Sequence, residues 1–364
     1  MTGACACLAG FSGTAVVIHG SSGCYYYPAT LLHAPLHGTF ILENEVIFGS
    51  EHRLHEVLDG FSGQNKKIAV VMTCVPAILG EDIRSMLRDY NAILVDSPGF
   101  SGDVEAGYKK ALSVLAPSVD PDTPGINIDG ACLFDPFSGG NVREIIRLLG
   151  TISVPVGTIF CSDRLENVGH AAAYTVGTNG DYTSGVGEWL GGMLGFEEIK
   201  TTLAKVATVF PDADPDPVFE ELEREDERIV RACDKFLRRF DPPHTVIFGG
   251  FSYATFAAYT LKHYLDADIR FIGTRNEPGD TSFPVGHVQG FSRVKELIQY
   301  YDPDLVIGSS FERSVDPKRA FVGLTPPVRG RVKLAPHPVA GISGSLTFIE
   351  NVLNACMDMK NKCP

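Results

Sequence analysis

Eight strand-length apolar runs punctuate the 364-residue chain: TAVVIHG (14–20), KIAVVMT (67–73), NAILVDS (91–97), GINIDGA (125–131), VPVGTIF (154–160), HTVIFGG (244–250), IRFIGT (269–274) and DLVIGS (304–309). Most are nearly continuous in their hydrophobicity, without the apolar/polar alternation of a half-exposed strand. A strand reads this way when both of its faces are covered, which is the condition of a parallel sheet flanked by helices. Helical patterns separate the runs, so the expected fold class is α/β, with three doubly wound Rossmann-like domains and mainly parallel sheets. One boundary falls near residue 150, where the helix NVREIIRLLG ends. A second follows the charged helix PVFEELEREDERIVRACDKFLRRF at the DPP of residues 241–243. The expected domains are 1–150, which carries most of the cysteines of interest, 151–240 and 241–364.

Composition narrows the classes of partner. A net charge of −13 opposes binding to nucleic acid, and no Lys/Arg cluster reverses it locally. The longest apolar runs are too short to span a bilayer, so no membrane insertion is expected. The opening MTGACACLAGFSG has no basic segment ahead of its apolar stretch, which argues against an export signal and for the cytoplasm. That compartment keeps thiols reduced, so the nine cysteines are read as core fillers and metal ligands rather than disulfides. No nucleotide site is expected in this chain: no GxGxxG follows a strand, and no GxxxxGK[ST] occurs. The glycines of FGGFSYATF turn a strand into a helix.

Three segments share one design: a buried strand running into a glycine- or proline-rich turn with a polar or thiol side chain. TAVVIHG leads into SSGC and Cys24, KKIAVVMT into Cys74, and NAILVDS into PGFSGD and Asp103. Loops beyond the carboxyl ends of parallel strands gather along one rim, where ligands bind in open α/β sheets. Cys24 and Cys74 are therefore expected on the same rim, with Cys5 and Cys7 of GACACLAG close by. Thiolates suit iron–sulfur clusters and zinc. No CxxC pair is present, and the candidates lie 19 and 50 residues apart on separate loops. On spacing alone, a small buried hydrophobe is the competing reading for each.

Taken together, CACLAG, VIHGSSGCYYY, NEVIFGSEHRLHEVL, VMTCVPAILGEDI and VDSPGFSGD resemble the first domain of the nitrogenase component 1 superfamily. That group includes molybdenum–iron protein subunits, cofactor-assembly scaffolds, protochlorophyllide reductase subunits and nickel-sirohydrochlorin reductive cyclase. GGNVREIIRLLGTISVPVGTIF, EREDERIVRACDKFLRRF, PDLVIGSS and HPVAGISGSLTFIENVL extend the resemblance over nearly the whole chain. It implies that Cys5, Cys24 and Cys74 hold an iron–sulfur cluster at the interface of two related subunits, either [4Fe-4S] or a P-cluster-like [8Fe-7S]. Cys7 is the alternative to Cys5. Backbone N–H groups of GSSG and PGFSG would tune such a cluster, as would Ser97 and Ser101 unless they serve only as turn or capping residues.

The resemblance also implies a reductase that takes electrons from a separate ATP-dependent iron–sulfur protein of nitrogenase iron-protein type, as a homodimer or a heterodimer with a related subunit. The family's catalytic subunits hold a second metal cluster with a second-domain cysteine. The comparable stretch here, AAAYTVGTNGDYTSGVGEWLGG, has none. The departure speaks against dinitrogen reduction in this chain and favours an organic substrate such as a tetrapyrrole, or a site supplied by a different subunit. Rival readings are an assembly scaffold and a non-catalytic partner subunit. Cys132, Cys161 and Cys233 read as structural, Cys356 and Cys363 as tail residues, and Arg143 and Glu144 as interdomain scaffolding. His33, His37, His170 and His337 read as surface or packed residues, and no catalytic residue is assigned.

Overall fold

The computed structural model describes residues 1–61, 63–330, 332 and 334–360; Cys363 lies outside them. All eight apolar runs are strands. The strands are β1 (Thr14–His19), β2 (Leu36–Gly38), β3 (Lys67–Met72), β4 (Ala92–Asp96), β5 (Ile126–Asp129), β6 (Val156–Ile159), β7 (Tyr174–Gly177), β8 (Glu188–Gly192), β9 (His244–Gly249), β10 (Asp268–Thr274), β11 (Val285–His287), β12 (Leu305–Gly308) and β13 (Ala320–Gly323). They form three sheets of order β2-β1-β3-β4, β6-β5-β7-β8 and β11-β10-β9-β12-β13. Every pairing in the first and last of these is parallel. The chain divides into two compact units, Met1–Phe134 with Gly157–Thr175 and Tyr182–Trp189, and Asp135–Val156 with Val176–Asp181 and Leu190–Pro364.

In the first unit, α1 (Thr2–Gly10), α2 (Ser22–Leu32), α3 (Glu43–Phe48), α4 (Glu51–Asp59), α5 (Cys74–Leu79), α6 (Ile83–Met86) and α7 (Val104–Leu115) surround the first sheet. Alternate residues of each central strand feed different cores. Val16, Ile18, Ala69 and Val71 pack with Leu8 of α1 and Tyr108 and Leu112 of α7. Ala15, Val17, Ile68 and Val70 pack with Leu54 and Leu58 of α4 and Ile83 of α6. Two-sided burial is what made these strands legible as continuous apolar runs. α1 and α7 approach closely because Gly3 has no side chain: a Cβ there would sit 1.8 Å from the Val104 carbonyl oxygen. In the sheet of order β6-β5-β7-β8 the buried Asn127 of β5 donates to the Ala172 carbonyl (2.8 Å) and accepts from the amides of Thr158 (3.1 Å) and Ala172 (2.8 Å).

The second unit holds α8 (Ser138–Thr151), α9 (Phe196–Val209), α10 (Asp216–Leu237), α11 (Phe251–Leu265), α12 (Phe291–Tyr301), α13 (Ser310–Val315) and α14 (Gly341–Lys360). Val246, Phe248 and Val306 of its sheet pack against Val294, Leu297 and Ile298 of α12. The charged α10 carries a buried stripe of Val218, Leu222, Ile229, Cys233 and Phe236, so Cys233 is a core residue, its thiol pushed up to about 11 by burial. Among the described residues no helix is long and apolar enough to cross a membrane.

Candidate functional site

The register of the first sheet lines up its carboxyl ends, pairing His19 with Met72 and Met72 with Asp96. The residues that follow therefore share one rim. Gly20 begins the first turn, where a Cβ would lie 2.0 Å from the Thr73 hydroxyl oxygen. That hydroxyl donates to the His19 carbonyl at 2.8 Å, so glycine lets the first two turns close on each other. Cys24 lies in the first turn of α2, and Cys74 opens α5; both are half-buried. Each sulfur accepts a hydrogen bond, Cys24 Sγ from the Ser21 hydroxyl (3.7 Å) and Cys74 Sγ from the Gly99 backbone N–H of the third turn (3.1 Å).

Cys5 is fully buried in α1, and Cys24 packs against the same apolar cluster. Burial foremost, with a contribution from Cys24, pushes the Cys5 thiol up to about 12. Cys7 faces a different neighbour: its Sγ lies 3.3 Å from Cys161 Sγ in the core. Cys132 and Cys161 are buried, which fits their structural reading; Cys356, expected in the tail, is instead a buried residue of α14, because that helix runs on to Lys360. Ser97 is buried and its hydroxyl accepts from the Met1 nitrogen (3.0 Å), while the Ser101 hydroxyl caps its own turn by donating to the Pro98 carbonyl (2.8 Å). Glu144 accepts from the Ser343 amide (3.0 Å) and pairs with Arg147 (2.8 Å), a scaffolding role within the second unit. His170 pairs with Asp120 (2.8 Å), and His37 packs edge-on against Phe61.

A buried polar cluster joins the turns that carry Cys24 and Cys74, and the sequence reading missed it. His19 Nε2 lies 3.3 Å from Glu81 Oε2 and 3.1 Å from Ser50 Oγ, and Nδ1 lies 3.1 Å from the Thr39 hydroxyl. Ser50 donates its amide (2.8 Å) and its hydroxyl (2.7 Å) to the Glu81 carboxylate. With the hydroxyl proton given to the carboxylate, Nε2 is the protonated nitrogen of His19. Burial lowers the His19 pKa, against the pull of Glu81. A serine beside a histidine and a carboxylate has the composition of a hydrolytic triad, but Ser50 and His19 are both closed off from solvent. The cluster positions the two turns. Its only trace in the sequence is a histidine before GSSGC and a glutamate after CVPAILG.

Large apolar side chains are exposed on the elements of this rim. Phe48 of α3 is 86% exposed, Ile78 of α5 is 74% and Phe100 of the third turn is 66%. Among the described residues no group of three or more His, Cys, Asp or Glu side chains is gathered tightly enough to hold a metal ion. Single-ion sites need ligand sulfurs roughly 4 Å apart; a multi-iron cluster takes its ligands from a wider frame. The donor set itself, two half-buried thiols that accept hydrogen bonds and a third in the adjoining core, suits such a cluster.

Fold and rim define a class: an α/β protein of several sheets whose first domain presents thiols beyond the carboxyl ends of parallel strands. The chain belongs to the nitrogenase component 1 type oxidoreductase family, whose model matches residues 1–357. It is 27% identical over 180 residues to the nitrogenase molybdenum–iron protein beta chain of Bradyrhizobium diazoefficiens, covering 40% of this chain and 33% of that one. It is 30% identical over 172 residues to the same protein of Frankia alni, with the same coverage of the two chains. It is also 26% identical over 158 residues to the nitrogenase iron–molybdenum cofactor biosynthesis protein NifE of Clostridium pasteurianum, covering 38% of this chain and 35% of that one. The matched region thus spans about a third of these curated relatives. A solved structure of nitrogenase Cp1 at pH 6.5 superimposes with a TM-score of 0.82 over 100% of this chain and 93% of that one, at 17% identity.

Proposed function

We propose that this chain is the reductase component of a nitrogenase-like two-component system. Cys5, Cys24 and Cys74 hold its iron–sulfur cluster, an ATP-dependent iron–sulfur protein of nitrogenase iron-protein type delivers its electrons, and its substrate is a small organic molecule. The carrying observation is the rim of the first sheet, with half-buried thiols on neighbouring strand ends that already accept hydrogen bonds. Donors directed at sulfur favour the thiolate, which is the ligand form. Cys5 keeps its proton in the absence of a cation because burial penalises its anion, so loading would release that proton. When bound, an iron–sulfur cluster supplies one-electron transfer.

Three thiolates and a fourth ligand suit [4Fe-4S]; two sets of three suit a shared [8Fe-7S]. The exposed Phe48, Ile78 and Phe100 around the thiols support a second copy or a related subunit as the partner that covers them. A cytoplasmic setting belongs to the same reading, since that compartment keeps ligand cysteines as thiols. The absence of cysteine from residues 171–192 supports an organic substrate over a second metal centre.

The similarity to NifE favours one second reading, a cofactor-assembly scaffold or partner subunit that holds a cluster without turnover. Iron and acid-labile sulfide, with the electron paramagnetic resonance spectrum of anaerobically purified, dithionite-reduced protein, test the site. A reduced cluster signal is expected; iron-free protein after anaerobic reconstitution overturns the proposal. ATP-dependent cluster oxidation and reduction with an iron protein present separates reductase from scaffold.

A further inference from the structure

We propose a second ligand site at the opposite rim of the first sheet, for an oxyanion carried on an apolar body, such as a small carboxylic acid or phosphate monoester. A cavity of about 630 Å³ opens where β1, β3 and β4 begin, lined by Gly13, Lys67, Asn91 and Ile93 at the strand starts. This volume falls in the range of small-molecule sites. The cavity is framed by backbone: the Lys67 amide donates to the Gly13 carbonyl (2.9 Å), the Ser12 amide to the Asp163 carbonyl (2.9 Å), and the Leu165 amide to the Ser12 carbonyl (3.1 Å).

Charge indicates which end of a ligand it would hold. In a chain with 44 acidic and 31 basic side chains, this lining brings together Lys66, Lys67 and Arg164 against one carboxylate, Glu166. Lys66 makes no ion pair among the described residues. The Arg164–Glu166 pair (2.9 Å) has both side chains more than two-thirds exposed, so it holds Arg164 only weakly. Lys67 Nζ donates to Asn91 Oδ1 at 2.6 Å, which fixes one ammonium at the wall. Ile93, Val114, Leu115 and Val168 supply an apolar wall in the same cavity. An inorganic anion would leave that wall unused, and a neutral amphiphile would leave the Lys66 and Lys67 ammoniums without a counter-charge in the lining. The site shares no residue with the cysteine rim and does not depend on the cluster reading.

The test is calorimetric titration of the full chain, purified anaerobically, with octanoate, octyl phosphate, 1-octanol and inorganic phosphate. Saturable one-to-one binding of octanoate or octyl phosphate is expected, at least about tenfold tighter than either control, and weakening as salt screens it. The double change Lys66→Glu/Arg164→Glu should cost at least about tenfold in affinity with iron content and melting temperature unchanged. Val114→Glu, which puts a carboxylate in the wall, should do the same if the double variant misfolds. No saturable binding of either anion overturns the proposal. So does equal affinity for 1-octanol, phosphate alone binding as tightly as octyl phosphate, or anion binding unaltered by these changes.

Discussion

The carboxyl rims of the first and last sheets have the same parallel topology and opposite chemistry. Beyond β1 and β3, the thiols of Cys24 and Cys74 are half-buried and accept hydrogen bonds while keeping lone pairs free for a ligand. Beyond β10 and β12 the polar groups consume one another. Glu312 of α13, 1% exposed, accepts from the Ser309 amide (2.7 Å) and is ion-paired with Arg275, whose guanidinium also donates to the Val288 carbonyl (3.3 Å). One rim is chemically open and the other closed on itself. A shared fold places loops at a rim without deciding whether they bind anything; the residues in those loops decide.

Four predictions bear on this contrast. The largest effect belongs to the open rim: Cys24→Ala or Cys74→Ala should remove most of the bound iron. A ligand loss should exceed the roughly 10- to 100-fold affinity cost of losing an outer-shell partner. Full iron and an unchanged spectrum in either variant would sink the ligand assignment. Mass measurement should also show a weaker dimer if the thiols lie at an interface.

Next comes the closed rim. Arg275→Ala leaves Glu312 buried and unpaired. Breaking a fully buried pair costs about 3–5 kcal/mol, and the 30% exposure of the Arg275 side chain puts this one nearer 2–3. Iron content should not change. Denaturant unfolding followed beside iron analysis checks both halves, and iron loss in this variant would break the contrast.

The positioning cluster beneath the cysteine turns should give an intermediate effect. Glu81→Ala strands the Ser50 amide, its hydroxyl and His19, an expected cost of about 1–3 kcal/mol. His19 supplies a pH signature. Its folded pKa is lowered by burial, so at acid pH the unfolded chain binds the extra proton. The stability tied to this neutral histidine is complete above the ordinary value of about 6.5, and it is lost as pH falls from there toward the folded pKa. Melting temperatures should therefore drop more steeply on acidification for wild type than for His19→Gln. Parallel curves would remove His19 from the account.

The smallest effect should come from Cys7→Ala. It opens a small void against Cys161 worth ~1 kcal/mol and leaves iron unchanged. Loss of iron in this variant would transfer the ligand role from Cys5 to Cys7.

The residues missed by the sequence reading share a physical cause. The short strands β2, β8, β11 and β13 all lie at the edges of their sheets, where one side lacks a neighbour and the strand shrinks to three to five residues with few apolar side chains. β7 is internal but only four residues long, YTVG, within a glycine-rich stretch. His19, Ser50 and Glu81 are unremarkable one at a time, and 62 residues separate the first from the last.

By itself the sequence determined the strands buried on both faces, the parallel order they require, and hence that Cys24 and Cys74 share a rim. Those properties follow from local hydrophobic patterning and from the direction of the chain. Only the tertiary structure decided that Cys7 meets Cys161, that Glu81 reaches back to His19, and that Arg275 closes on Glu312. Those pairings are set by register and close packing between segments distant in the chain, and no local pattern encodes them.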